Sequence, residues 1–205
     1  MQLTISKSVY GYWNSIRGDQ PVPSRSALQP GPISHLLPDL FILQWQEDDE
    51  MTFRLAGTRV STILGTELAN QPFASVWAER EASFIDALAR RSALTGKPVC
   101  LDIRGFRMDY PPLAFEMVLL PLLDVPQAPG RMLGSLAPHF TSSWQLLEPV
   151  DSLRIEGMEV IDGDEHEDLA VETVPRQTRS HAPWWRRLMV WGDTTDSHEP
   201  PSRVS

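Results

Sequence analysis

Five short apolar segments between residues 40 and 138 constrain the fold of this chain more than any other feature. Each has the length of a β-strand and ends at proline, glycine or charged residues. The first two are separated only by the acidic EDDE, which indicates a hairpin and therefore an antiparallel sheet. Segments that are apolar on both sides indicate a sheet covered on both faces. The segments are LFILQWQ (40–46), MTFRLAG (51–57), VCLDIRGF (99–106), LAFEMVLLPLL (113–123) and RMLGSLAP (131–138).

Apolar residues at helical spacing precede the first strand. Ile5, Val9, Trp13 and Ile16 recur every three or four residues, and Gly18 follows as a stop. This stripe needs a partner surface, which is either the sheet of the same chain or a second copy. The second alternative predicts a homodimer whose interface consists of Ile5, Val9, Trp13 and Ile16.

A second, longer helix is predicted between the two groups of strands. Acidic residues in its first turn place its start near Ala78, and Gly96 followed by Pro98 ends it. The proline-rich stretch 19–38 and the broken stretch 58–78 leave room only for short helical turns. This order of elements predicts an α+β domain. One side of the long helix is expected to carry Phe84, Ala87, Leu88, Arg91 and Leu94.

The last quarter of the chain differs from the rest in charge. Residues 156–205 carry 11 acidic and 5 basic residues, a net charge of -6 out of the total of -9. We therefore expect a folded domain over residues 1–155 and an acidic, largely disordered tail over 156–205. An aromatic and basic cluster at 184–191 is a candidate for docking a partner, folding back or touching a membrane surface. The docking residues would be Trp184, Trp185, Arg186, Arg187 and Trp191.

Several function classes are disfavoured by what the sequence lacks. An acidic chain is unsuited to sequence-independent phosphate binding, so we expect no nucleic-acid partner. The single cysteine excludes an internal disulfide and predicts a cytoplasmic location. No apolar run is long enough to span a bilayer. No nucleophile or phosphate-loop motif is present, and the acidic run 162–168 does not match an EF-hand. We expect neither an enzyme nor a metal site.

The order of elements and several short words resemble a PAS domain. More narrowly, the chain resembles a small stand-alone bacterial PAS family that begins with a YW..(I/L)RG helix. The words that carry the resemblance are YGYWNSIRG (10–18), VPSRSALQPGPISHLLPDLFIL (22–43), FRLAGTRV (53–60), LGTELANQPFASVW (64–77), EMVLLPL (116–122) and LGSLAP (133–138). Together these words are spread along residues 9–138.

The resemblance implies a five-stranded antiparallel sheet with a short-helix layer on one face and the N-terminal helix on the other. It implies a sensory or protein-interaction role in bacterial signalling, but it supplies no particular ligand or cofactor. A pocket between the sheet and the helical layer would be expected. Its lining would include Leu55, Thr58, Arg59, Phe73, Trp77, Phe84, Leu101, Ile103, Glu116, Met117 and Ser135. The same apolar residues would equally form an ordinary core.

Flavin and haem are disfavoured as cofactors of such a domain. Cys100 lies on a predicted strand, whereas flavin-binding relatives carry the reactive cysteine in the helical layer. The long helix contains no histidine that would ligate haem. The sequence therefore favours a non-enzymatic signalling module that senses a small molecule or a partner protein. The alternative is a small-molecule carrier, and an enzyme using Arg54, Arg59, Asp102 and Glu116 is the least favoured.

Overall fold

A computed structural model describes residues 1–46, 50–125, 128–139 and 148–161. Six strands form one antiparallel sheet in the order β2-β1-β5-β4-β3-β6. The five strands expected from the sequence are all present. The strands are β1 (Leu40–Trp45), β2 (Met51–Ala56), β3 (Val99–Arg107), β4 (Tyr110–Val125), β5 (Ala128–Pro138) and β6 (Ser152–Val160).

The part of the chain that the structure describes contains three α-helices and three short 3-10 helices beside the sheet. Helix α1 (Thr4–Arg17) ends at Gly18, and helix α3 (Glu79–Thr95) ends at Gly96, as their sequences predict. The described residues contain no helix that is both long and apolar enough to cross a membrane. The remaining helical segments are α2 (Thr58–Leu64) and the 3-10 helices Arg25–Ala27, Ser34–Asp39 and Phe73–Val76.

Each face of the sheet is covered by its own apolar layer. On the face that we call inner, side chains of β1 to β6 pack against α2, α3 and the turn Phe73–Val76. On the outer face, Val118, Leu120 and Leu133 pack against α1 and the turn Ser34–Asp39. This two-sided covering explains why β4 is apolar at almost every position.

Strand β6 is the main departure from the expected fold. The boundary expected near Ile155 falls in the middle of this strand, which pairs with β3 from Phe106↔Ser152 to Val99↔Val160. Leu153 is fully buried, while the acidic residue Glu156 lies exposed at the sheet edge and pairs with Arg104. An edge strand tolerates such charges because one face of it reaches solvent. The sheet thus continues past residue 155, as far as Val160.

Helix α3 presents a different face to the sheet from the one expected. Leu94 is 70% exposed, and the residues buried against the core are Ile85, Leu88, Ala89, Ser92 and Ala93. Most of these side chains are small, so the helix backbone can approach the sheet closely. The larger side chains of Phe84 and Leu94 had suggested a stripe rotated around the helix axis.

Candidate functional site

The inner face holds most of the residues predicted to line a pocket, and it packs them against one another. Phe73 lies at the centre, with ring centroids 5.5 Å from Phe53, 6.1 Å from Phe41 and 5.8 Å from Trp77. Such edge-on and tilted aromatic contacts are typical of a close-packed core. The other predicted residues in this cluster, each at most 1% exposed, are Leu101, Ile103 and Met117.

A β-bulge removes Leu55 from this group. Leu43 pairs with Phe53 whereas Ile42 pairs with Leu55, so Arg54 is an extra residue on β2. The extra residue reverses the alternation, and Leu55 is 63% exposed while Phe53 is 1% exposed. Regular alternation along β2 would place both side chains on one face, and the prediction that Leu55 lines the inner pocket is therefore wrong.

Two other predicted polar lining residues lie at the surface near the start of α2. Thr58 and Arg59 are both exposed. The guanidinium of Arg59 pairs with the buried carboxylate of Asp39 and thereby ties α2 to the turn Ser34–Asp39. Phe84 lies at the margin of the inner cluster, where it is partly buried. These positions are structural rather than parts of a common polar site.

Glu116 and Ser135 are fully buried, but they are on the outer face. The carboxylate of Glu116 accepts hydrogen bonds from the backbone N–H groups of Gln2 at 2.6 Å and Leu3 at 2.9 Å. These two residues immediately precede α1, and Leu3 is its N-cap, where a backbone N–H group has no acceptor within the helix. Glu116 thus caps the helix from a neighbouring strand, and it is not a pocket residue. Ser135 lies opposite Val118 in the same layer.

The surroundings of Glu116 keep it ionised. Burial alone would raise the pKa of its carboxyl, but the neighbouring Ser6 hydroxyl and the two backbone N–H groups outweigh burial and lower the pKa. A negative charge at this end of α1 also suits the helix dipole. No sequence pattern indicated this role, because Glu116 and its partners are more than a hundred residues apart.

The apolar stripe of α1 covers the sheet of its own chain. Val9 and Trp13 are 0% and 2% exposed, and the Trp13 indole N–H donates to the backbone carbonyl of Pro121 at 2.7 Å. Ile5 and Ile16 are partly buried. Of the two partner surfaces considered for this stripe, the sheet of the same chain is therefore the one observed. The predicted dimer interface is corrected accordingly, because its central side chains are not accessible to a second copy.

Cys100 is buried in the outer layer, on the opposite face of the sheet from the short helices. Burial, and then the negative charge of Glu116, raise the pKa of its thiol to about 12. A thiol in this state is a poor nucleophile at neutral pH. Its position also differs from that of a cysteine that would react with a cofactor held between the sheet and the helical layer.

One group of possible metal ligands is found among the described residues. Ligand atoms of Asp102, Glu116 and His139 lie within 4.8 Å of one another. The sheet register explains the contact, because Asp102 is directly opposite Glu116. Both carboxylate oxygens of Glu116 already accept backbone hydrogen bonds, so the arrangement is better explained as part of the helix cap.

The predicted docking cluster in the tail, Trp184 to Trp191, lies outside the described residues, as does the acidic run 162–168.

The solved structures to which this chain is similar include light-oxygen-voltage proteins of low sequence identity. A LOV protein from Rhodobacter sphaeroides is 15% identical, with 68% of this chain and 71% of that chain covered and a TM-score of 0.41. An RNA-binding light-oxygen-voltage receptor is 17% identical, with 55% and 34% covered and a TM-score of 0.43.

The family match covers about as much of the chain as the first of these similarities. No curated protein matches the chain. The family model described as PAS domain matches residues 1–137, which include α1, α2, α3 and nearly all of β1 to β5. The antiparallel sheet with helices on it is the fold that the resemblance implied, extended here by β6. On the family match and this topology, the chain belongs to the PAS domain family.

Proposed function

We propose that this chain is a non-enzymatic module of bacterial signalling that senses a partner protein or a small molecule and acts through protein–protein contacts. The observation that carries the proposal is the docking of α1. An amphipathic helix lies on the outer face of the sheet through Val9 and Trp13. The backbone N–H groups of the two residues just before this helix donate to a single carboxylate, that of Glu116. A docked helix with a few identifiable anchors is the kind of two-state element that a binding event can bias.

Release of α1 would expose complementary apolar surfaces on both the helix and the sheet. The helix would present Val9 and Trp13, and the sheet would present side chains such as Val118 and Leu120, which are completely buried in the docked state. Exposed apolar patches of this kind are typical of protein interaction sites. A partner that binds either surface would therefore compete with the docked state.

The inner core supports a partner protein rather than an apolar ligand as the main input. The aromatic side chains that would line a PAS pocket pack against one another, with ring centroids 5.5–6.1 Å apart, and they are nearly completely buried. An apolar ligand would have to displace these contacts, which would cost much of the packing energy of the core. A non-enzymatic role fits the titratable groups, since Arg59 is paired with Asp39 and Glu116 holds α1.

The test is affinity capture from the cells of origin with the full chain and with a chain that ends at Ile161. The shorter chain keeps β6, which a cut at residue 155 would have divided. We expect a protein partner to be recovered with the full chain and to form a complex again from purified components. Loss of the complex in the shorter chain would assign docking to the tail, as proposed for Trp184 and its neighbours. Failure of both chains to bind any protein would contradict the proposal.

The second candidate function is a small-molecule carrier. It is favoured by one observation, the indole N–H of Trp77, which is buried and has no hydrogen-bond acceptor among the described residues. A buried donor of this kind costs stability unless something accepts its hydrogen bond. A thermal-shift screen of the purified chain against metabolites tests this role. A stabilising ligand whose effect disappears in Trp77→Phe would support it.

Cytoplasmic location and the absence of nucleic-acid partners remain part of the proposal. They rest on the single cysteine and on the net charge of -9. A homodimer also remains a prediction, but it would have to form through a surface other than the buried stripe of α1.

A further inference from the structure

Strand β6 forms one edge of the sheet, and the region where α3 begins covers the first half of that edge. The Leu153 carbonyl accepts from the Ala78 N–H at 2.9 Å, and the Ile155 N–H donates to the Glu81 carboxylate at 2.7 Å. The next residue, Glu156, is the extra residue of a bulge in the pairing with β3. The second half of the edge begins after this bulge.

Backbone groups of the second half point away from the sheet. The Ile161 N–H donates at 2.8 Å to the carbonyl of Pro98, just before β3. Because the direction of these groups alternates along an antiparallel strand, the N–H and C=O groups of Met158 and Val160 point outward. Within the part of the chain that the structure describes, nothing pairs with these four groups. Such an edge is a template to which another strand can add.

The side chains beside this edge define what an added strand would contact. Met158 and Val160 share the inner face with Leu101 and Val99, their partners on β3, and Val160 is exposed. Glu159 lies between them on the outer face, and its side chain is 64% exposed. Its Oε2 accepts from the amino group of Met1 at 3.0 Å, which leaves the other oxygen for a second cation. The edge thus offers an apolar side and an acidic side.

The charge of this part of the chain favours a basic partner. Residues 156–172 contain eight carboxylates and no lysine or arginine. A concentration of one charge attracts a partner of opposite charge and speeds its association. A second copy of this chain is disfavoured, because pairing Met158 with Val160 across a two-fold axis would place Glu159 opposite Glu159, and like charges in that position repel.

We propose that the second half of β6 binds an extended segment of another protein in which basic and apolar residues alternate. The backbone of that segment would pair with Met158 and Val160, its basic side chains would lie beside Glu159, and its apolar side chains would continue the inner face. The inference rests on the proposed role in protein–protein contacts, and it adds the place and the chemistry of one such contact. The strand concerned lies beyond the residues that the family model matches.

The test is calorimetric titration of the full chain with three synthetic peptides of about seven residues. The first alternates lysine and valine, the second has glutamate in place of lysine, and the third is the first with a methyl group on each valine nitrogen. The valines would lie opposite Met158 and Val160, so the methyl groups remove the donors that face β6. We expect the first peptide to bind at least about tenfold more tightly than the other two. Equal binding of the methylated peptide, or no binding of the first, would overturn the proposal.

Two substitutions locate the binding. Val160→Pro removes an outward N–H but no hydrogen bond to β3, and an edge strand tolerates proline at such a position. Glu159→Lys reverses the charge beside the edge. We expect each to weaken binding of the lysine peptide by about tenfold, and Glu159→Lys to strengthen binding of the glutamate peptide. Far-ultraviolet circular dichroism checks the fold, and Glu159→Lys decides the question if Val160→Pro does not fold.

Glu67→Lys is the matched control. Glu67 is also exposed, and it lies shortly before Asn70, which pairs with Phe53 of β2 at the opposite edge of the sheet. It should leave all three titrations unchanged, and effects equal to those of Glu159→Lys would show that only general charge matters and would overturn the proposal.

Light scattering distinguishes a second copy from another protein at this edge. A dimer of the full chain that is lost in Val160→Pro would mean that the edge binds a second copy, and this result would also overturn the proposal. Every one of these failures leaves the partner role standing, because that role is read from protein capture.

Discussion

Glu116 is the residue on which the attachment of α1 to the sheet depends most directly. Replacing it with glutamine keeps the shape but leaves one acceptor oxygen for two backbone N–H groups, and the new amide N–H₂ faces a donor. We expect Glu116→Gln to lower the free energy of unfolding by about 1–3 kcal/mol, measured by urea denaturation.

The matched control is Glu156→Gln. Glu156 is likewise a hydrogen-bonded carboxylate, and its partner is the guanidinium of Arg104 at 2.9 Å. Its side chain, however, is 47% exposed. An exposed pair contributes little, so the loss should stay below about 1 kcal/mol. Equal losses for the two variants would contradict a special role of Glu116 in holding the helix.

The lowered pKa of Glu116 predicts how stability changes with pH. Because the pKa of this carboxyl is lower in the folded than in the unfolded chain, its ionised form stabilises the fold above the ordinary value of 4.5. This stabilisation should be constant from neutral pH to about pH 5 and be lost as the pH falls through the folded pKa. Urea denaturation at a series of pH values should therefore show the difference between wild type and Glu116→Gln shrinking in acid. A difference that does not change down to pH 3 would contradict it.

Cys100 should be unreactive in the native protein. With a thiol pKa of about 12, the thiolate fraction at pH 8 is about one part in ten thousand. We expect a disulfide reagent to label Cys100 only as fast as the protein opens, and at once in denaturant. Rapid labelling of the native protein would show that the outer layer opens far more easily than its burial indicates.

At the scale of secondary-structure elements, the bulge in β2 implies that Phe53 and Leu55 contribute differently to stability, whereas simple strand alternation would make them alike. Phe53 and Leu55 are two residues apart, yet Phe53 is 1% exposed and Leu55 is 63% exposed. Phe53→Ala should lower the free energy of unfolding by about 3–5 kcal/mol, whereas Leu55→Ser should change it by less than about 0.5 kcal/mol. Urea denaturation measures both, and similar losses would mean that β2 has no bulge.

The elements themselves were largely predictable from the sequence. Alternation and run length predicted β1 to β5, and glycines after the last turns predicted the ends of α1 and α3. These signals are local, because a strand or helix of this kind displays its own periodicity. The resemblance to a known family supplied the arrangement of these elements, which local patterns do not determine.

What the sequence did not predict depends on contacts between distant residues. Strand β6 carries charged residues that suggested a solvated tail, and only its pairing with β3 shows that it belongs to the sheet. The cap on α1 joins Glu116 to Gln2 and Leu3 across more than a hundred residues. The bulge at Arg54 depends on the register between β1 and β2, which neither the composition nor the alternation of β2 reveals.

At the scale of the whole molecule, the sheet separates an inner core from an outer layer, and the docked helix α1 lies in the outer layer. The predicted ligand-binding face is packed with aromatic side chains, while the outer face holds α1 and its Glu116 anchor. We therefore expect signals to enter and leave through the outer face and through partner contacts. A filled interior with a docked helix is the central claim of this account.

Native mass spectrometry of the full chain purified from the cells of origin tests that claim most directly. We expect a complex with another protein and, after the complex is dissociated, a chain whose mass contains no small molecule. A small molecule retained at one per chain, with no protein partner, would place the ligand in the interior and contradict the account.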